Sequence, residues 1–382
     1  EEKLIDIFRL FYLYGKDSPS HQLGKEIISG AGFNEPADLF PILVKIGVWS
    51  EDENTDLKSL DIPAEFSREV SAAANEILQT AKSQPIEIPP SPPRLDFTKL
   101  SLMTVDGQST LDYDDAISLA KYDEFYLLGI HIVDVGHRVQ KNTLLDGEAL
   151  NRCSSIYMPD QRIPMLPASL AEDLCSLKLG RIRPAISTMV KLSPALEIVS
   201  FDVVPTLVKV DQQLTYYDVN LLANENQNVI ILKDVATKFR KFRLDSGAIQ
   251  ITLPEVHVWV GESGEVSVNR INRESPGRML VSELMIMANW LMARFLKDHG
   301  VPAIYRSQPA AKDRLYQGNS ESLFQNMMQR RLLNRFALGH SPETHSGLGL
   351  DAYITATSPI RKYCDLVTQR QIRSIFGLET SY

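Results

Sequence analysis

The amino-acid sequence predicts an α+β protein in which a small, mainly helical module precedes a large domain of mixed strands and helices. Three observations support this fold class. Apolar residues recur at helical spacing from residue 3 to residue 50. A proline-rich segment follows, and strand-like and helix-like segments mix after it. We therefore predict a helical module at residues 1–82, a linker at 83–93 and a second domain at 94–382.

The module at residues 1–82 contains three predicted short helices. The first has its apolar residues at helical spacing, at Leu4, Ile5, Ile7, Phe8, Leu10 and Phe11. Ser18-Pro19-Ser20 then offers a cap for a second helix that ends at Gly30. A third helix is predicted at residues 35–46, before a candidate strand at Val48-Trp49. This order of elements is typical of a helix-turn-helix or winged-helix domain.

Such a module either contacts nucleic acid or serves as a small packing domain. Its lysines Lys16, Lys25 and Lys45 do not make a basic recognition face. Both interpretations therefore stay open.

The segments around the linker are also periodic. A helix is predicted at residues 67–82, and the linker after it holds five prolines in the nine residues 85–93, which neither a helix nor a central strand tolerates. The apolar run at residues 125–133 predicts a buried strand. Two later helices are predicted at residues 281–295 and 366–376.

Composition limits the classes of protein to which the chain can belong. The net charge of −8 argues against binding nucleic acid by overall charge, although carboxylates at a metal site add negative charge that cations offset. The three scattered cysteines, Cys153, Cys175 and Cys364, fit neither a zinc cluster nor a disulfide framework. No apolar run approaches the roughly 18 residues of a membrane span, and the first residues do not form a signal peptide. We expect a monomer without a membrane partner, in the cytoplasm or alternatively in an organelle.

Four aspartates lie within ten residues, at Asp106, Asp112, Asp114 and Asp115. Apolar residues flank this cluster on both sides, whereas exposed acidic runs are usually flanked by polar residues. Like charges held near apolar surface repel each other and lose hydration unless a cation lies among them. Hard divalent ions such as Mg²⁺ or Mn²⁺ prefer such oxygen ligands. The cluster therefore predicts a metal site, with an acidic surface turn as the alternative.

The spacing of these aspartates does not fit a calcium-binding EF-hand, which needs Gly at the sixth position and Glu at the twelfth. Two metal ions roughly 3.5–4 Å apart can activate water and stabilise both oxygens of a phosphodiester that is being cleaved. That chemistry requires several carboxylates from a short segment, and this cluster supplies them.

The segment at residues 104–117 resembles the catalytic motif of the RNB family, which includes ribonuclease II and ribonuclease R, and all four aspartates match it. Four further stretches resemble family motifs in the same order, at residues 131–137, 152–177, 283–289 and 347–365. The resemblance covers about residues 94–376. It implies an RNB-type catalytic domain at residues 94–382, with a mixed sheet wrapped by helices.

The resemblance also implies roles for single residues. Asp106, Asp112 and Asp115 would chiefly be metal ligands. Asp114 would be the aspartate most critical for hydrolysis, as a ligand or in activating water. Arg361 would brace the scissile phosphate, which suits a guanidinium because it gives two parallel hydrogen bonds.

Other matched positions imply contacts with RNA. Tyr157 would stack on the base at the 3′ end, and Glu283 would contact a ribose near that end. Lys362, next to Arg361, would bind the RNA as well. A second aromatic opposite Tyr157 is not recognisable in the sequence.

Two further groups of residues have less specific signals. We interpret His131, Asp134 and His137 as structural or channel-lining residues, not as metal ligands. Four basic residues either touch the RNA backbone or solvate a helix, and they are Lys238, Arg240, Lys241 and Arg243.

Together these observations predict a 3′-to-5′ exoribonuclease that hydrolyses single-stranded RNA to nucleoside 5′-monophosphates with Mg²⁺ or Mn²⁺, by a two-metal-ion mechanism. One alternative is a non-catalytic RNA-binding relative, but such a protein would lack one or more of the four aspartates. Another is a helix-turn-helix nucleic-acid-binding regulator, which would need a basic recognition helix and no aspartate cluster.

Overall fold

The structure of the protein is a computed structural model, and it describes residues 2–33, 35–83, 94–261 and 263–380. The chain divides into two compact units, Glu1–Phe66 and Ser67–Tyr382. The predicted proline-rich linker lies, except for Ser83, outside the described residues.

The regular secondary structure of the first unit, in its described part, is helical. Its helices are α1 (Glu2–Tyr14), α2 (His21–Gly30), α3 (Leu39–Lys45) and α4 (Thr55–Ser59). Their small core consists of the buried residues Phe11, Ile28, Leu39, Leu43 and Trp49. Helices α1 and α2 approach closely at Gly24, because a Cβ atom there would lie 2.7 Å from Cγ of Phe11. The three predicted helices are confirmed.

The candidate strand at Val48-Trp49 is wrong, since these residues form a turn after α3. Trp49 instead packs edge-on against Tyr12, with ring centroids 5.0 Å apart. The aromatic and branched residues that suggested a strand therefore serve the helical core.

Helix α5 (Arg68–Ser83) belongs to the second unit, so the compact boundary falls after Phe66 and not at residue 82. Val70 and Ala74 of α5 are buried, and α5 packs against α6 (Leu144–Arg152). The proline-rich segment suggested a boundary after α5. The helix nevertheless belongs to the second unit, because its apolar face packs there.

The second unit is built on a mixed sheet of six strands, namely β1 (Leu95–Asp96), β2 (Leu102–Asp106), β3 (Asp115–Lys121), β4 (Tyr126–Val133), β7 (Ile182–Leu192) and β8 (Ile198–Thr215). Their order in the sheet is β1-β8-β2-β3-β4-β7. Strand β8 pairs antiparallel with β7 and parallel with β2, so the sheet closes on itself. The predicted strand at residues 125–133 is confirmed as β4.

The other helices of the second unit are α6, α7 (Tyr216–Leu222), α8 (Gln227–Asp245), α9 (Pro276–Asp298), α10 (Leu323–Leu332) and α11 (Tyr363–Ile375). Helices α7 and α9 pack directly on the sheet. Helices α8 and α9 share one hydrophobic core with the sheet, in which Ile130, Leu232 and Leu284 are fully buried. Each such side chain stabilises the fold by roughly 1.5–3 kcal/mol. The predicted helices at residues 281–295 and 366–376 are confirmed within α9 and α11.

By length and composition alone, α9 is the one helix among the described residues that is able to cross a bilayer. However, 72% of its apolar stretch is buried inside the unit. Its hydrophobicity is therefore used in the core.

Three two-stranded sheets complete the second unit. They pair β5 (Ile156–Tyr157) with β6 (Arg162–Ile163), β9 (Glu255–Val260) with β10 (Val266–Ile271), and β11 (Tyr305–Ser307) with β12 (Ala337–Gly339).

Candidate active site

The aspartate cluster lies where three strands end at one edge of the large sheet. Strand β2 ends at Asp106, which pairs with Thr215 at the end of β8. Strand β3 begins at Asp115, which pairs with Ile132. Because β2 and β3 are antiparallel neighbours, the loop at residues 107–114 crosses this edge and keeps all four aspartates close together.

The buried residue Ser176 holds this loop in place. Its Oγ donates a hydrogen bond to the carbonyl oxygen of Leu111 (3.2 Å) and accepts one from the amide of Tyr113 (2.9 Å). The amide of Leu177 donates to the carbonyl oxygen of Tyr113 (3.0 Å). These bonds satisfy the backbone where the chain leaves the sheet and fix the direction of the aspartates.

A cavity of about 620 Å³ opens at this edge, and all four aspartates line it. Tyr157 and Arg361, two of the residues predicted from sequence, line the same cavity. Its other charged or aromatic walls include Arg162, Tyr216, His257 and Arg278. The acidic surface turn that was the alternative is therefore wrong, because Asp112 and Asp114 are 9% and 4% exposed.

Asp114 links the loop to the segment before α11. Its Oδ1 accepts a hydrogen bond from the amide of Ile360 (3.0 Å), and its Oδ2 accepts one from Nε of Arg361 (3.1 Å). The side chain of Arg361 is 40% exposed on the cavity side. A carboxylate near the start of the domain therefore orients a guanidinium near its end.

Asp112 is held by two residues from the neighbouring hairpin. The hydroxyl of Tyr157 donates to its Oδ2 (3.2 Å), and Nη1 of Arg162 donates to its Oδ1 (3.0 Å). Arg162 also forms an ion pair with Glu172. Tyr157 is 54% exposed, so its hydroxyl is anchored while much of its ring faces open space.

The cavity disfavours ionised carboxylates. Burial raises the pKa of Asp106 to about 7, with Arg361 opposing the shift and Asp112 adding to it. Burial likewise raises the pKa of Asp114 to about 7, although Arg361 and the amide of Ile360 lower it. Burial, followed by the charges of Asp106 and Asp114, raises the pKa of Asp115 well above its ordinary value. A bound cation would reverse these shifts because it favours the charged form.

Two family models match the chain. The model of the RNB domain matches residues 94–377, which is most of the chain. The chain belongs to the RNB family. A model of a double HTH domain matches residues 1–55, in agreement with the predicted helical module.

Relatives of this RNB protein are named as ribonucleases. An uncharacterized ribonuclease of Synechocystis sp. is 33% identical over 343 residues, which cover 87% of this chain and 50% of that protein. Ribonuclease R 1 of Lactococcus lactis is 30% identical over 393 residues, which cover 89% of this chain and 47% of that protein. The chain thus spans about half the length of the curated relatives that it matches.

Solved structures share the RNB fold. The Dss1 exoribonuclease of Candida glabrata matches with a TM-score of 0.82 and 20% identity, over 100% of this chain and 53% of that one. RNase R of Mycoplasma genitalium in complex with ribose-methylated single-stranded RNA matches with a TM-score of 0.73 and 23% identity, over 84% and 57% of the two chains. Yeast Ssd1, a pseudonuclease, matches with a TM-score of 0.62 and 17% identity, over 76% and 41%.

The RNB aspartates of this chain fit a divalent cation by their chemistry. They form an all-oxygen donor set, and the buried Oδ2 of Asp106 accepts no hydrogen bond from the described residues. Asp112 and Asp114, however, are engaged by arginines. No group of three or more Asp, Glu, His or Cys side chains in the described part of the chain is already arranged to hold a metal ion. Some carboxylates would therefore have to rotate to share one.

Glu283 is not placed at the cavity of the RNB aspartates. It is 1% exposed within α9, and its carboxylate accepts hydrogen bonds from Nε of Arg240 (2.8 Å) and Nε of Arg243 (2.9 Å). The expected partner of this buried carboxylate is thus a pair of arginines from α8. The structure does not support the ribose contact implied by the family resemblance.

The ion pairs of Glu283 show what two of the four basic residues predicted either to touch the RNA backbone or to solvate a helix do instead. Arg240 and Arg243 point toward Glu283, whereas Lys241 is exposed and pairs with Asp245 (2.7 Å). Lys362 is exposed at the start of α11 and is not among the residues lining the cavity. Of the predicted RNA-binding residues, only Tyr157 and Arg361 line the aspartate cavity.

His131 and Asp134 are structural, as predicted. His131 is fully buried between the hydroxyls of Ser118 (2.9 Å) and Ser187 (2.7 Å), and burial lowers its pKa to about 3. Asp134 forms buried ion pairs with Arg94 and Arg373, which outweigh burial and lower its pKa to about 2.

Several residues that line the cavity were given no role from the sequence, among them Arg162, Tyr216, His257 and Arg278. Tyr216 directly follows the end of β8, beside Asp106. A prediction of β8 could have indicated this position, because residues after neighbouring strand ends meet at the same sheet edge. Arg162 lies in the short hairpin of Tyr157 and pairs with it, so its position could have been inferred from that of Tyr157. His257 and Arg278 depend on long-range packing and give no local signal.

Proposed function

We propose that this protein is a metal-dependent 3′-to-5′ exoribonuclease that hydrolyses single-stranded RNA to nucleoside 5′-monophosphates. The observation that carries the proposal is the single cavity lined by four aspartates, Arg361 and Tyr157. The ribonuclease names of the relatives support RNA as the substrate.

Asp106, Asp112, Asp114 and Asp115 would hold Mg²⁺ or Mn²⁺ in this proposal. Bound in a pair, such ions supply an activated water molecule and stabilise both the attacking and the leaving oxygen of a phosphodiester. The chain's contribution is a closely spaced set of oxygen donors, fixed by Ser176 at the sheet edge.

Arg361 would orient the scissile phosphate. Its Nε donates a hydrogen bond to Asp114, so the terminal nitrogens Nη1 and Nη2 can donate hydrogen bonds to phosphate oxygens. Because Asp114 fixes the plane of the guanidinium, little side-chain entropy remains to be lost when the phosphate binds.

Tyr157 would stack on a base of the RNA. Its ring is half exposed, and its hydroxyl is tied to Asp112, so the base would be positioned next to the carboxylates. Stacking on an aromatic ring is worth about 1–3 kcal/mol per base and tolerates every base. We therefore expect degradation without sequence preference.

The test is an incubation of 5′-labelled single-stranded RNA with Mg²⁺, resolved on a sequencing gel. We expect a ladder of shortening labelled fragments on the gel, unlabelled nucleoside 5′-monophosphates when the same reaction is resolved by chromatography, and loss of both in EDTA. Immediate release of a labelled mononucleotide would indicate the opposite direction, and an undiminished ladder in EDTA would refute the metal.

Asp114→Asn should lower turnover by several orders of magnitude while RNA binding persists, because the change removes an interaction needed in the transition state. The matched control is Asp123→Asn, which changes an exposed aspartate in the turn between β3 and β4. Turnover in Asp114→Asn equal to that in the control would contradict the proposed role of Asp114.

The fold likeness to the pseudonuclease Ssd1 supports one other candidate, an RNA-binding protein without hydrolytic activity. It predicts retained RNA binding with no shortening of the label at any metal concentration. The four aspartates in one cavity argue for hydrolysis.

A further inference from the structure

Arg278 lies in the wall of the aspartate cavity and has no role in the mechanism described above. It also lines an adjoining cavity of about 430 Å³, and Asp106 and Tyr216 line both cavities as well. Its guanidinium carbon lies 4.4 Å from the centre of the Tyr216 ring. Arg278 is therefore held at the junction of the two cavities by an aromatic ring.

The position of Arg278 in its helix is unfavourable for stability. It belongs to the first turn of α9, where the partial positive charge of the helix end repels a cation. No acidic residue lies in that turn to offset this charge. A local cost of this kind, which the contact with Tyr216 partly offsets, is typical of a functional residue.

Arg278 also differs from the other arginines of the cavity in its partners. Arg361 is bonded to Asp114, and Arg162 is bonded to Asp112 and Glu172. Within the part of the chain that the structure describes, no carboxylate lies within ion-pair distance of Arg278. Its positive charge contributes to lowering the pKa of Glu255, but the ion-pair partner of Glu255 is Arg273.

The guanidinium of Arg278 lies over the ring of Tyr216 and donates no hydrogen bond to the described residues, so its hydrogen-bond donors stay available. Planar, edge-on donors match two oxygens of a phosphate. The helix end and the guanidinium together favour an anion at this position.

We propose that Arg278 binds a backbone phosphate of the RNA upstream of the scissile linkage, with Tyr216 as its positioning residue. This inference rests on the proposed function. It follows from the direction of cleavage: the scissile phosphate leaves with the 3′-terminal nucleoside, so every other phosphate of the substrate lies on the 5′ side.

The first test measures binding without cleavage. The dissociation constant of a labelled single-stranded RNA is measured in EDTA over a series of KCl concentrations. We expect Arg278→Gln to raise the dissociation constant about tenfold. When the logarithm of the dissociation constant is plotted against the logarithm of the KCl concentration, the slope for Arg278→Gln should be smaller than that of the wild type by about 0.7, as for the loss of one phosphate contact on a single strand. Arg278→Lys should keep the slope and recover only part of the affinity.

Arg294→Gln is the matched control. Arg294 lies on the same helix and also stacks on an aromatic ring, with its guanidinium carbon 5.3 Å from the centre of the Trp290 ring, but it does not line the aspartate cavity. We expect its slope to equal that of the wild type. Equal losses in the two glutamine variants would assign the effect to overall charge and overturn the proposal.

The second test locates the phosphate. Each linkage of the RNA is replaced in turn by an uncharged methylphosphonate. One upstream linkage should weaken binding by the wild type but not by Arg278→Gln, because the two changes remove the same contact. If every linkage weakens both proteins equally, Arg278 does not bind a backbone phosphate.

Failure of this inference is distinguishable from failure of the proposed function. A wild-type salt slope in Arg278→Gln, in a protein whose wild type still shortens RNA, overturns the role of Arg278 alone. Absence of RNA binding by the wild type would overturn both.

Discussion

Asp114 combines nearly complete burial with hydrogen bonds to an amide and to a guanidinium. Those bonds do not compensate for the loss of water and for the charge of Asp112, so the pKa of Asp114 rises to about 7. In the metal-free protein this carboxyl is therefore protonated over a pH range in which an exposed aspartate is charged. Such a shift is typical of a functional site.

The pH dependence of stability follows from this shift. Because the pKa of Asp114 is higher in the folded state than in the unfolded state, protonation of Asp114 stabilises the fold. This stabilisation is complete below the unfolded-state pKa of about 3.9 and is lost as pH rises through about 7. In EDTA, the free energy of unfolding of Asp114→Asn should therefore rise relative to that of the wild type as pH increases from 5 to 8, by on the order of 2–3 kcal/mol. The measurement is urea unfolding of both proteins at each pH.

Comparison of the two proteins cancels the opposing contribution of buried histidines such as His131, whose lowered pKa destabilises the fold as pH falls. Mg²⁺ should stabilise the wild type more at pH 8 than at pH 6, because a metal binds the deprotonated form. A difference between the two proteins that does not change with pH would show that Asp114 is ionised throughout.

Tyr157 should determine the length of the final RNA fragment. Tyr157→Ala removes the exposed ring, so short RNA should dissociate sooner and the labelled end product should be longer. Tyr157→Phe keeps the ring and loses only the bond to Asp112, so its end product should match that of the wild type. The end products are read on a sequencing gel, and an unchanged product in Tyr157→Ala would exclude stacking.

At the scale of elements, helices α8 and α9 are joined by the buried ion pairs of Glu283. Both carboxylate oxygens are used, one by Arg240 and Arg243 and the other by Arg243 alone. Two arginines from one helix thus fix its rotation against the next. The pairing explains how a very apolar helix tolerates a carboxylate.

Glu283→Gln should destabilise the fold by about 3–5 kcal/mol, because it leaves Arg243 as an uncompensated buried charge. Discrimination between RNA and DNA should not change, since Glu283 does not line the cavity. Urea unfolding gives the first quantity, and rates on matched RNA and DNA strands give the second. A stable variant that degrades DNA as fast as RNA would instead support a ribose contact.

Elements with a strong local pattern could be predicted from the sequence. The apolar periodicity of α1 and α9 and the apolar run of β4 each gave an element that the structure contains. Strand β8 was not predicted, because its 18 residues owe their conformation to pairing with β7 and β2 on opposite edges. Pairing between distant strands leaves little trace in a single sequence.

The same distinction holds within the site. The four aspartates were recognised because they are close in sequence, and Arg361 and Tyr157 because they match family motifs. Arg278 meets Tyr216 only through packing of α9 beside the end of β8, so the contact between the two residues left no signal in the sequence. Glu283 matched a motif, yet its partners in α8 turn it away from the cavity.

At the scale of the whole molecule, the cavity belongs to the second compact unit, since every residue that lines it lies between Asp106 and Arg361. The first unit has its own core around Phe11, Leu39 and Leu43. Hydrolysis and the contribution of the helical module should therefore be separable by mutation.

Leu43→Ala should loosen the first unit without affecting the chemistry. Leu43 is fully buried, and truncation of such a leucine costs about 2–5 kcal/mol. Hydrogen exchange followed by mass spectrometry should show faster exchange in α1, α2 and α3 and unchanged exchange in β4. The turnover of a short single-stranded RNA should stay within about twofold of the wild type, which is a small change on the scale of about 1.4 kcal/mol per tenfold.

Leu291→Ala, at a fully buried position in α9, is the matched control and should speed exchange in the second unit and lower turnover. A large loss of turnover in Leu43→Ala would mean that the helical module takes part in the reaction.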